Sequence, residues 1–249
     1  MNLFSIFLIL FASVYFSYAQ ESTYKTEEKG RAEVLVMAFE PRMYMSQWDH
    51  ELTQKNNMPS VKIKEFFREE IDRHFYKELI GKKTPLSLNL SSLEACHNDL
   101  NKFYESVQIT FKDQVPGDNK PLKNKGELAP NTRKVNVVAV KTTNQNNIRD
   151  ISRDYGAKYI IAINELDLLM PVKDAYDMSN KNFDIILKIH YTILTNKGEE
   201  IISNYSETNF PAGIFNLKEI SENGLFPAVQ KISNELLNLE AKSTVDKKN

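Results

Sequence analysis

The chain has 249 residues, 41% hydrophobic, 10% aromatic and 26% charged, which is the profile of a globular protein and excludes a disordered, collagen-like or multi-span membrane chain. Its 32 Lys and Arg stand against 33 Asp and Glu for a formal charge of -1, so no uniform cationic field exists to gather nucleic acid. Eight Gly are too few and too scattered for the glycine-rich loops that cradle nucleotide phosphates.

Met1 to Ala19 carries no charged side chain, and Leu3 to Phe16 is an almost unbroken apolar run followed by Ser17, Tyr18 and Ala19. Small residues at 17 and 19 read as the cleavage site of a secretory signal peptide, cut after Ala19. The mature chain is then expected in the periplasm or outside the cell, with no stable membrane span. Cys96 is the sole cysteine, so neither an internal disulfide nor a lipidated cysteine near the cleavage point is available.

A polar lead, residues 20–31, precedes one α/β domain over 32–240, and residues 241–249 form a polar tail expected to fray. Ala32 to Phe39 is a short, nearly continuous apolar run interrupted by Glu33, the pattern of a strand covered on two faces. Ser60 should cap a helix whose stripe is Ile63, Phe67, Ile71, Phe75 and Leu79, with Gly81 ending it. Thr84 to Leu90 is a candidate short strand, and Ser91 to Glu94 reads as a capping box opening a helix through Leu93, Cys96, Leu100, Phe103 and Val107.

Lys112 to Lys134 is rich in Lys, Asn, Pro and Gly and reads as a mobile loop, with residues 81–134 a candidate insertion. Val135 to Val140 is a strand, and Asn147 can cap a helix presenting Ile148, Ile151 and Tyr155 before Gly156. Tyr159 to Leu166 is a central strand. In Phe183 to Thr208, Ile185, Leu187, Ile189, Tyr191 and Ile193 alternate with Lys188, His190 and Thr192, and Asn196, Lys197 and Gly198 turn the chain back. Leu225, Phe226, Val229, Ile232, Leu236 and Leu239 make a closing helix. The expected fold is a mixed β-sheet with helices packed on it, a long β-hairpin in the C-terminal half and a closing helix.

The run Tyr155-Gly156-Ala157-Lys158-Tyr159-Ile160-Ile161, followed by Ile189 to Ser203, resembles the periplasmic envelope modules typified by the amino-terminal domain of TolB and the curli-pore lipoprotein CsgG. Here Lys158 replaces an acid of their pattern, Asn164 stands near a Gly, and Thr195 to Gly198 replaces their turn. The resemblance implies a non-enzymatic assembly or docking module with an envelope protein as partner, and brings no catalytic residue with it.

His50, His74, His97 and His190 are each isolated in sequence, without HExxH or CxxC spacing, so no metal or other cofactor is expected. His190 should lie on the polar face of the hairpin and His74 at the border of its helix stripe. Gly81-Lys82-Lys83-Thr84 follows a helix, not a strand, and reads as a helix C-cap rather than a phosphate loop. Two candidate sites stand out. Arg42, Met43, Tyr44, Met45 and Trp48 crowd the loop after the first strand, and such side chains recur as interface anchors. Glu165 and Asp167 alternate at the carboxyl end of the central strand, where open α/β sheets bind ligands. The expected function is an exported, soluble binding or assembly module of the bacterial envelope acting through the aromatic and Met loop. The alternatives are an exported hydrolase using Glu165 and Asp167, or a small-ligand carrier with a closed apolar cavity.

Overall fold

A strand apolar on both alternations needs cover on two faces, and the computed structural model, which describes residues 32–114, 135–171 and 183–246, provides it. β1 (Val34–Met37) lies between β3 (Pro85–Ser87) and β6 (Tyr159–Leu169), parallel to both. β2 (Tyr44–Ser46) follows a 3-10 turn and continues the line of β1 along β6, pairing in parallel with Leu166 to Leu168. β6 pairs antiparallel with β7 (Asp184–Thr195), which pairs antiparallel with β8 (Glu200–Pro211). The result is a mixed sheet of six strands with the order β3-β1-β6-β7-β8. The expected signal peptide and polar lead and most of the expected mobile loop lie outside the described residues.

Two cores sandwich this sheet. Val34, Val36, Ile161, Ile163, Leu187 and Ile189 meet α2 (Ser60–Leu79) and α6 (Phe226–Asp246), with α1 (Asp49–Asn56) at the rim. Leu35, Met37, Ile160 and Ala162 meet α3 (Glu94–Glu105) and α4 (Gln145–Tyr155) on the opposite face. In α2 the four-residue stripe Ile63, Phe67, Ile71, Phe75 and Leu79 is wholly buried, and each such side chain contributes about 1.5–3 kcal/mol of burial energy. A short helix α5 (Leu217–Ile220) and a π-turn, Ser221–Leu225, lead into α6. Among the described residues no helix is long and apolar enough to cross a membrane.

Several local expectations are corrected. Pro59, not Ser60, is the N-cap of α2, and the Ser60 hydroxyl instead donates to Asp49 Oδ2 at 3.0 Å, tying α2 to α1. Leu93 is the N-cap of α3, while Ser91 Oγ accepts the Leu93 N–H in the turn before it. Asn144, three residues before Asn147, caps α4 and takes the Asn147 N–H on its side chain. Val107 opens a strand rather than closing a helix. β4 (Val107–Gln114) pairs antiparallel with β5 (Val135–Thr142) over its whole length, so residues 112 to 114 belong to a strand. Within residues 81–114, β3 is hydrogen-bonded into the main sheet and Cys96, Leu100 and Phe103 of α3 help build the second core.

β4 and β5 form a two-stranded arm resting on the main sheet. At its root, Thr142 Oγ1 donates to the Gly198 carbonyl at 2.7 Å, and Gly198 holds the β7–β8 turn at φ +76°. A Cβ there would stand 3.1 Å from Thr142 Cγ2 and 3.2 Å from Ile148 Cγ2. Gly198→Ala is therefore expected to destabilise the fold by about 1–3 kcal/mol, combining left-handed strain with crowding. Urea unfolding measures it, and an unchanged midpoint would contradict the geometry of this turn.

Candidate functional site

Along β6 the apolar parity changes midway: Ile161 and Ile163 face the α2–α6 core, and so do Leu166 and Leu168. A β-bulge at Asn164 makes the change, since Ile163 pairs with Tyr191 and Glu165 with His190, leaving one extra residue. In a regular strand Glu165 and Asp167 would share the face of Ile161 and Ile163 and enter the apolar core. Asn164 shares the face of Ile160 and Ala162, toward β5, and the bulge turns Glu165 and Asp167 to join it there.

There the two sequence-predicted acids meet a histidine. One ligand atom each from Glu165, Asp167 and His190 lie within 4.8 Å of one another, with Asp167 and His190 buried and Glu165 half-buried. His190 Nε2 is 3.3 Å from Asp167 Oδ2. Burial, followed by the charge of Asp167 and a hydrogen bond with it, pushes the Glu165 carboxyl up to about 7. Around the trio, Lys188 pairs with Glu207 at 3.2 Å and lies over the Tyr205 ring, which tilts against His190.

His190 was expected on an exposed polar face. It is instead 3% exposed, because β5 runs over that face and uses its polar side chains. The Val138 N–H donates to His190 Nδ1 at 3.1 Å, the Val140 N–H to Thr192 Oγ1 at 3.2 Å, and Asn164 Nδ2 donates to the Val138 carbonyl at 2.8 Å. A backbone N–H is always a donor, so Nδ1 must keep its lone pair and the neutral ring carries its proton on Nε2, directed at Asp167. Both ring nitrogens are thus engaged. A metal held on Nε2 needs that proton removed and favours a ring that donates from Nδ1, the reverse of this arrangement. The donor set has the right elements for a cation, but the imidazole is not set to be a ligand.

The aromatic loop divides. Tyr44 and Trp48 are 5% and 7% exposed and point into the α2–α6 core, Tyr44 stacking on Phe67 and Trp48 lying between Phe183 and Phe215 at ring distances of 5.8 and 5.6 Å. They are core residues rather than surface anchors, since β2 pairs with β6 and points Tyr44 inward. Met43 also packs against that core. Arg42 and Met45 remain outside, Arg42 paired with Glu40 at 2.6 Å and Met45 55% exposed. Met45 stands opposite Asp167 in the β2–β6 ladder, so it shares the face of the acid pair.

The other histidine read as a boundary residue, His74, is also buried. Its Nε2 contacts Ser221 Oγ at 2.8 Å, and Ser221 donates to Glu70 at 2.8 Å, fastening α2 to the π-turn. Cys96 is buried in the second core as a small hydrophobe beside the Tyr155 hydroxyl. Two cavities among the described residues bear on the carrier reading. A groove of about 360 Å³ runs past Glu33, Tyr76 and the Gly81 to Thr84 turn, open to solvent and polar, and a space of about 10 Å³ beside Met43, Tyr104 and Asn164 has room for about one water. Neither is the closed apolar chamber a carrier needs.

No family model, no curated protein and no solved structure matches this chain. The resemblance to envelope modules therefore stands on the residues quoted for it.

Proposed function

We propose that this chain is an exported, non-enzymatic binding module of the cell envelope whose contact face is the junction of β2 and β6, with Arg42 and Met45 outside and Glu165 beside them. The observation that carries this reading is the register of Met45 opposite Asp167, which sets an exposed thioether next to a partly open carboxyl pair. Methionine is an adaptable contact residue, and a carboxyl pair that holds a proton near neutral pH through burial and mutual repulsion gains from a cation in place of that proton. The partner that fits is an envelope protein presenting a Lys or Arg flanked by apolar residues. The apolar leader of the sequence and the resemblance to envelope modules support export and the absence of chemistry.

The test is a photo-crosslinking side chain at position 45 in intact cells that make the protein, with one at exposed Val61 on α2 as control. The expected result is a discrete adduct from position 45 alone, lost in a Glu165→Arg background. An adduct indifferent to Glu165→Arg, or none, removes the proposal.

One observation favours a second reading. A carboxyl group held near 7 within 4.8 Å of another is poised for general acid and base work in a hydrolase. Turnover of any ester, amide or glycoside that is abolished by Glu165→Gln would establish it. The engagement of both nitrogens of His190 with Val138 and Asp167 weighs toward the binding role, because an acid–base imidazole needs one nitrogen directed at substrate.

A further inference from the structure

We propose that the β4–β5 arm is fastened to the main sheet through a histidine that must be neutral, so that acidification loosens the arm. The inference concerns the arm and not the partner, and stands whether or not position 45 cross-links to anything.

β5 pairs with β4 along one edge only; among the described residues no strand pairs with its other edge, which faces the sheet. That edge is satisfied by three side chains: His190, Thr192 and Asn164. Thr192 and Asn164 keep their roles at any pH. His190 Nδ1 accepts the Val138 N–H only while it has a lone pair. A second proton on the ring would set an N–H against an N–H in a position 3% exposed, where no water can take over either donor at low cost. Either the ring turns away or the strand lifts, and in both cases the Val138 amide loses its acceptor.

The groups facing the ring differ from one side to the other. From β6, the Asp167 carboxylate lies against Nε2, with the Glu165 carboxyl beside it. From β7, Lys188 opposes it, but its ammonium is held by Glu207 of β8 over the face of Tyr205. β5 offers the ring its backbone. A cationic ring is thus welcomed on its Asp167 side and refused on its Val138 side, which couples proton uptake to the arm.

Amide hydrogen exchange on the full chain, read residue by residue by NMR and corrected for the intrinsic pH dependence of exchange, tests this. Between pH 7.5 and 5.0 the protection of Val138 should fall at least tenfold relative to Ile161 in the main sheet. In His190→Asn the amide oxygen can stand where Nδ1 stood and does not titrate, so Val138 should keep its protection at both pH values. In the wild type, the ¹⁵N shift of His190 Nδ1 should change from an unprotonated to a protonated nitrogen over the pH range in which Val138 opens. That shift tests the proposal even if the variant fails to fold. Val138 protection that does not depend on pH, or that falls equally in His190→Asn, or an Nδ1 already protonated at pH 7.5, overturns it.

Discussion

Replacing Trp48 by alanine is expected to remove about 3–5 kcal/mol of stability, the cost of a large aromatic side chain deleted from a packed interior. The ring lies between Phe183 and Phe215 at the start of α1 and belongs to the α2–α6 core. Its removal strips contacts from the sheet and from the segment leading into α5. Met45→Ser, three residues away on an exposed side chain, is expected to change stability by no more than about 0.5 kcal/mol. The pair separates core from contact face within one loop, and chemical denaturation of the two variants measures both. Trp48 is the only tryptophan of the chain, which adds a direct check. Its emission should be blue-shifted and resistant to iodide quenching in the folded protein, and red-shifted after unfolding. A readily quenched indole would return Trp48 to the surface.

A second large effect is expected from pH. Asp72 on α2 is 1% exposed, and burial pushes its carboxyl up to about 7 against the help of Ser87, Arg68 and Asn89. A carboxyl raised above its unfolded value keeps its proton in the folded state while the unfolded chain has already released it. Its contribution is therefore complete below about pH 4 and is lost as pH rises to about 7, after which both states are ionised. At 1.36 kcal/mol per unit over roughly three units, the Asp72 contribution has an upper bound of about 4 kcal/mol. Glu165 shifts in the same direction, so it steepens the decline. Glu33 and Glu70 are held below the usual carboxylate range, Glu33 chiefly by its bond to Lys158 and Glu70 by Ser221 and Arg73 acting against its burial. They withdraw stability only in stronger acid. Burial holds the His74 imidazole below its usual value, which withdraws stability as pH falls below about 6.5, whereas Asp72 and Glu165 set an expected fall from neutral pH toward pH 8. Asp72→Asn should lose most of that fall, gaining on the wild type as pH rises from 4.5 to 8. Urea midpoints at three pH values decide it, and parallel profiles would contradict the burial of a titrating Asp72.

The long-period features were legible from the residues. The α2 stripe, the β7–β8 alternation and the two-sided apolar runs of β1 and β6 each express a periodicity that packing then used, and together they specify a mixed sheet with helices on it. Caps were less legible. Ser60 and Ser91 have cap chemistry, but their hydroxyls engage Asp49 and the Leu93 amide instead, because neighbouring segments reach them first. β4 was missed because Val107 also continues the spacing of α3, and only its pairing with β5 separates the two readings. The acids at 165 and 167 were readable as a pair, and the switch in apolar parity from Ile161 and Ile163 to Leu166 and Leu168 was a usable sign of the bulge. The burial of His190 had no local sign. It depends on β5, a strand more than fifty positions earlier in the chain, lying across it.

The pairing of β6 with both β1 and β2 has a consequence for the order of events at birth. Val34 bonds across to Tyr159, and Tyr44 to Leu166. At ~5–20 residues per second of synthesis, the first strand waits on the order of ten seconds for its long-range neighbour. β3 can cover one edge of β1 much earlier, but until β6 arrives the other edge of Val34 to Met37 is an open template for another nascent chain. The β7–β8 ribbon, by contrast, closes on itself within moments of emerging. A protein laid out in this way leaves the completion of its front half to its back half.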